Sequence, residues 1–145
     1  MPHSPPTKTS PVFIPACAIK SQPLESFPNT SNGIVSWKTP LSSDLTPSDS
    51  LTAGIATCPA DSGYLAHHRH EQAEMYLILK GEGLVRVDGD ERRVEKGDAV
   101  FIPGNAEHGI RNVGQGDLEW FYCFAADKFG DVGYRFSGSV EKAKL

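Results

Sequence analysis

His68-Arg69-His70-Glu71-Gln72-Ala73-Glu74 sets two imidazoles one residue apart and follows them with a carboxylate across a short turn. On an extended strand side chains alternate between two faces, so His68 and His70 point one way while His67 and Arg69 point the other. Glu74 opens the next strand close enough to reach the same point, and His108 arrives after a second turn-rich stretch. The chain has five histidines, and three fall in this constellation. A lone histidine on an apolar strand is usually a hydrogen-bonded core residue. Three imidazoles and a carboxylate on one concave wall are costly to bury without a cation. The expectation is one divalent transition metal per chain, held by His68, His70, Glu74 and His108. That ligand set suits Fe, Mn, Ni, Co or Zn.

Around this stretch the texture is that of short strands. Runs with strand character occur at 34–38, 51–57, 64–70, 75–80, 84–87, 92–94, 99–102, 109–112 and 118–124. Between them stand legible turns: Gly81-Glu82-Gly83, Asp88-Gly89-Asp90 and Glu95-Lys96-Gly97-Asp98. Asp-Gly between two alternating runs is a hairpin signal. No segment shows sustained helical periodicity, although a short helix could follow Ala126. Many short strands with regular turns predict an all-β antiparallel barrel or jelly roll. The last run, Leu118 to Phe124, is apolar on both faces. One face lines the barrel; the other needs cover from the chain's own arm or from a second copy, and a homodimer is expected.

Residues 1–32 hold seven Pro and eight Ser or Thr, a composition that disfavours regular packing and predicts a partly disordered N-terminal arm. Val12-Phe13-Ile14 is the segment of it able to dock as an edge strand. The domain plan is therefore an arm over 1–32, a barrel over 33–136 and a C-terminal tail over 137–145.

Composition narrows function. A chain of 145 residues forms one domain with a real core, and a net charge of -4 with pI near 5.7 argues against a nucleic-acid partner. The basic residues Arg92, Arg93 and Lys96 are interspersed with Glu91, Glu95 and Asp98, as on a solvated strand and turn. No apolar run is long enough for a membrane span, and the first residues lack the basic-then-apolar pattern of a signal peptide. Cys17, Cys58 and Cys123 are too few and scattered for a disulfide framework. A reduced, cytoplasmic protein is expected, with Cys58 and Cys123 as small buried hydrophobes.

Two motifs carry a family resemblance. His68, His70, Glu74 and Gly81 match the first motif of the cupins, with Gly63 one residue closer than usual. Gly97, Pro103, His108 and Asn112 match the second, where Asn105 replaces an inner glycine; Asn accepts left-handed backbone angles better than most residues. The resemblance implies a single-domain cupin, an antiparallel jelly-roll barrel. It leaves the reaction open, since cupins include oxygenases, isomerases, decarboxylases, lyases and plain binding proteins. More narrowly, the chain is similar to the small cupins that cleave dimethylsulfoniopropionate. Gly33-Ile34-Val35-Ser36-Trp37-Lys38, Ala73-Glu74-Met75-Tyr76, Gly104 to His108 and Asp127 to Tyr134 carry that similarity. The long arm is no part of it, and Gly133 stands where a larger residue is expected. The resemblance implies two catalytic tyrosines beside the metal, Tyr76 and Tyr134.

Tyr76 follows Glu74 by two and so shares its face. A free phenol, with a pKa of about 10, is too protonated to act as a base at neutral pH unless a nearby cation lowers it. The best-supported expectation is a lyase in which a tyrosinate removes a proton alpha to a metal-held carboxylate. Tyr64, inward by parity with His68, and the aromatics Trp37, Trp120, Tyr122 and Phe101 are the candidate substrate wall, able to hold a methylated cation by cation–π contact. Arg111 is a surface strand residue or an anion clamp. Two other classes use the same ligands: a non-haem metal oxygenase or dioxygenase with open positions for dioxygen, and a non-catalytic cupin that binds a small metabolite.

Overall fold

A computed structural model describes residues 8–138. Residues 1–7 of the arm and 139–145 of the tail lie outside the described residues. A short helix α1 (Ala16–Ser21) precedes the strands β1 (Glu25–Ser26), β2 (Gly33–Ile34), β3 (Ser36–Leu41), β4 (Thr52–Cys58), β5 (Tyr64–Arg69) and β6 (Glu74–Lys80). They continue with β7 (Glu82–Val87), β8 (Asp90–Glu95), β9 (Ala99–Ile102), β10 (His108–Asn112), β11 (Leu118–Phe124) and β12 (Arg135–Phe136). One sheet runs β1-β3-β4-β11-β6-β9, the other β12-β5-β10-β7-β8, with β2 also on β5. All the pairings are antiparallel. This is the expected jelly-roll barrel.

The nine expected strands all form, the run at 34–38 dividing into β2 and β3 around Val35. Alternation is strongest in the middle of the first sheet. Strand β11 turns Leu118, Trp120, Tyr122 and Phe124 inward, and β6 turns Glu74, Tyr76 and Ile78 inward. The Asp88-Gly89 turn has positive φ at both residues (48° and 84°), and Val87 pairs with Asp90. That is the two-residue hairpin whose twist matches its strands.

Val12-Phe13-Ile14 forms no strand, and Phe13 is 91% exposed. Pro11 and Pro15 bracket it, and proline cannot donate to a ladder. The arm reaches the barrel further on, where Glu25 pairs with Trp37 and Ser26 with Ser36. Helix α1 buries no residue, so it left no periodicity to detect. After Ala126 the described residues hold a 3₁₀ turn, Phe129–Asp131, and helical backbone at Ser137 and Gly138. No helix among them is long and apolar enough to cross a membrane.

Candidate metal centre and aromatic cavity

His68 lies on β5, His70 just beyond its end, His108 opens β10 and Glu74 opens β6. The site therefore bridges the two sheets. All four side chains are almost fully buried. The ligand atoms of His68, His70 and His108 lie within 4.8 Å of one another. Each ring is locked from behind by a main-chain carbonyl two residues away: Nδ1 of His68 to Ala66 O at 2.7 Å, of His70 to Gln72 O at 2.9 Å and of His108 to Ala106 O at 2.8 Å. A carbonyl only accepts, so each Nδ1 carries the hydrogen and each Nε2 is turned to the centre.

That arrangement asks for a cation. Nε2 of His70 and of His108 each stand 3.2 Å from Oε1 of Glu74. His68 Nε2 is buried with no hydrogen-bond partner. Burial first, then the nearby His108, holds His68 well below the ordinary imidazole range, so a proton does not relieve that nitrogen. A divalent metal on three imidazoles, with Glu74 alongside, does, and the carbonyl locks are the outer-shell partners that orient such ligands.

Glu74, beside His70 and His108, and Tyr134, beside His68, line an aromatic cavity of about 30 Å³ together with Trp37, Tyr76, Trp120, Tyr122, Phe27 and Phe129. Tyr134 stacks on His68 with ring centroids 4.6 Å apart and planes 6° from parallel. It gets there because β12 pairs Phe136 with His68 and Arg135 with Arg69. Tyr76 packs between His108 (6.4 Å) and Trp120 (5.6 Å). Tyr122 is tied away: its hydroxyl donates to Lys38 O at 3.1 Å and accepts from Thr39 Oγ1 at 2.6 Å. Gly54 makes room for it, since a Cβ there would fall 2.4 Å from the Tyr122 hydroxyl oxygen.

Residues 55–124 match the cupin domain. The chain is 35% identical to dimethylsulfoniopropionate lyase DddW of Ruegeria pomeroyi over 118 residues, 81% of this chain and 76% of that one. The chain belongs to the cupin family. It is also 37% identical to dimethylsulfoniopropionate lyase DddQ of the same organism, over 50% of this chain and 40% of that one. Among solved structures, a cupin 2 conserved barrel domain protein from Rhodopseudomonas palustris shares the fold with TM-score 0.66 and 21% identity, covering 84% of this chain and 80% of that one.

In this cupin the departure at Asn105 is absorbed as its chemistry allows. Asn105 has φ of 65°, its N–H donates to His70 O at 2.8 Å, and its side chain accepts from Arg135. One turn thus joins the two motifs and the closing segment.

Two of the expected wall residues are elsewhere. Tyr64 faces outward, its hydroxyl donating to Thr30 O at 2.5 Å. The register explains this: His68 pairs with His108 but Leu65 with Ile110, so β5 carries one extra residue opposite Gly109. This β-bulge reverses the inward–outward count, and Leu65 lines the cavity instead. Gly109 permits the crowding, because a Cβ there would lie 2.4 Å from the His67 ring. Phe101 is 70% exposed, since Ile102 takes the inward position opposite Glu74. His67, Arg69 and Arg111 are exposed.

Phe27 and Phe129 were not anticipated. Phe129 lies in the stretch that carries the family similarity, which was the available signal. Phe27 sits in the arm, where nothing in the pattern marks it. Its ring lies 4.7 Å from Trp37 and 5.4 Å from Phe136. The indole N–H of Trp37 is buried without an acceptor. Burial, and after it the charge of Glu74, push the Tyr76 and Tyr134 phenols well above their ordinary range. Burial pushes the Cys58 thiol up to about 12, which keeps it inert as a nucleophile.

Proposed function

We propose that this cupin is a metal-dependent lyase that performs β-elimination on a small carboxylate, with dimethylsulfoniopropionate as the first substrate to test. The juxtaposition of Tyr134, stacked on His68, with Tyr76, packed beside His108, supports this reading. Both phenols border one cavity with Glu74, and the similarity to DddW points to the same chemistry.

Tyr76 is the proposed base. It takes the proton from the carbon alpha to the carboxylate. The carbon–sulfur bond breaks with its electron pair leaving on sulfur, and a double bond forms between the alpha and beta carbons. Dimethyl sulfide and acrylate result, with the proton on the tyrosine. A divalent ion on His68, His70 and His108, with Glu74, would supply the Lewis acid for the substrate carboxylate and the positive charge that offsets burial at a neighbouring phenol. Tyr134 borders the same space and holds His68 by its stack. Trp37, Trp120 and Tyr122 offer ring faces to a methylated sulfonium.

Tyr76→Phe keeps the ring and removes the acidic proton. It is expected to retain metal and lose turnover by about 10²–10⁴-fold, the range for general acid–base groups; equal turnover in wild type and variant overturns the assignment. Tyr134→Phe keeps the stack on His68, so its turnover separates a chemical role of the hydroxyl from a supporting role of the ring. A second copy is proposed to cover the outward face of β6 and β9, where Met75 and Phe101 are exposed and directly paired. Sedimentation of wild type beside Phe101→Glu tests this: a dimer that becomes a monomer supports it, and a wild-type monomer rejects it.

A further inference from the structure

The cavity is much smaller than its proposed task requires. At about 30 Å³ it has room for about two waters, whereas small-molecule sites typically span roughly 300–1,000 Å³. A wall residue must therefore move for a carboxylate to reach the histidines.

The wall residues differ in how they are held. Tyr76, Trp120 and Tyr122 sit on β6 and β11, strands paired on both sides, β6 with β11 and β9, and β11 with β4 and β6. Displacing them breaks ladder hydrogen bonds. The segment bearing Phe129 and Tyr134 is pinned at several points: Phe129 N–H to Ser42 Oγ at 3.1 Å, Ser43 N–H to Asp127 O at 2.9 Å, Arg135 to Asn105 Oδ1 at 2.8 Å, and β12 on β5. Phe27 follows a strand of two residues on the outer edge of the first sheet. That strand is exposed, and Pro28 comes next. What retains Phe27 is its aromatic contact with Trp37 and Phe136, with its ring 6.3 Å from Tyr134. Such pairs contribute only about 0.5–1.5 kcal/mol beyond the area they bury.

We infer that Phe27, carried by the N-terminal arm, is the movable wall of the cavity and sets the size of carboxylate it admits. The inference rests on the proposed reading of the site as a small-carboxylate site, and extends it to a residue outside both cupin motifs. Selection by size follows because Phe27 closes the space over Trp37, and every atom added to a bound chain must displace it further.

The test uses the full chain loaded with cobalt(II), whose visible absorption reports ligands at the metal. Titration with propionate, butyrate, pentanoate and hexanoate gives affinity against chain length. Wild type is expected to lose at least tenfold in affinity across the series, and Phe27→Ala to recover at least tenfold for the longest member. Phe27→Leu, which keeps a bulky apolar group, is expected to fall between them, and it decides the matter if the alanine variant fails to fold. Coincident profiles for wild type and the folded variants overturn the inference while leaving the carboxylate site standing. A wild-type protein that holds cobalt but binds none of the four overturns the underlying reading, and this inference falls with it.

Discussion

On the histidine side of the cavity each ring is fixed by a carbonyl two residues away, His68 by Ala66, His70 by Gln72 and His108 by Ala106. On the aromatic side Trp37, Trp120 and Tyr134 are placed by packing against partners far away in sequence, Trp37 on Phe129 and Tyr134 on His68 among them. The first wall is assembled by local hydrogen bonds that set direction at each ring. The second is assembled by the closure of the barrel and has shape without much polar anchoring. Substitutions on the first should therefore affect metal chemistry, and substitutions on the second should affect stability and the size of what binds.

The sharpest break in that contrast comes from the metal. His108→Ala removes a converging lone pair, and metal content after dialysis is expected to fall from one equivalent to a trace. The affinity loss should exceed the roughly 10–100-fold typical of losing an outer-shell partner. Full metal retention would show that His108 is no ligand. Next in size is Trp120→Ala, at a side chain only 1% exposed. It is expected to cost about 3–5 kcal/mol in urea unfolding of the metal-free protein; a cost below about 1 kcal/mol would mean that the aromatic wall carries little of the fold.

Smaller effects sharpen the comparison. Trp37→Phe removes a buried N–H that has no acceptor, so the relief of an unsatisfied donor offsets the lost ring area. Stability is expected to stay within about 1 kcal/mol of wild type, and a larger loss would reveal a hydrogen bond at that nitrogen. Smallest is Cys58. Its thiol is raised in the folded state from an ordinary value near 9.0 to about 12. Its contribution to stability is therefore complete below pH 9 and declines as pH rises through that window, where the unfolded chain ionises first. At pH 8 iodoacetamide is expected to label the exposed Cys17 and to reach Cys58 only on unfolding; prompt labelling of Cys58 in the native protein would contradict its burial.

Much of the architecture was legible because strand alternation is a local rule. Leu118 to Phe124 and Glu74 to Lys80 show their inward residues by counting in twos, and Asp88-Gly89 announces a hairpin by the backbone angles it tolerates. The same rule misplaced Tyr64, because an extra residue on β5 opposite Gly109 reverses the count. Phe101 was misplaced for a plainer reason: a short strand with a hydrophobic residue at each parity does not say which faces in, and pairing of Glu74 with Ile102 settled it. In the arm, Val12-Phe13-Ile14 lies between prolines at 11 and 15 and forms no strand within the chain, while the two-residue β1 was too short to carry any pattern.

The order of residues along the chain determined the strands and hairpins of the barrel and the shared face of His68 and His70. These follow from periodicity and short-range hydrogen bonding, which depend on neighbours in the chain. Only the tertiary structure decided that Phe27 from the arm meets Trp37, that Tyr134 lies flat on His68, and that Tyr64 and Phe101 stay outside. Those placements depend on the register of distant strands and on a single bulge, and no local rule carries the phase of a strand across a bulge or selects the partner of an isolated aromatic ring.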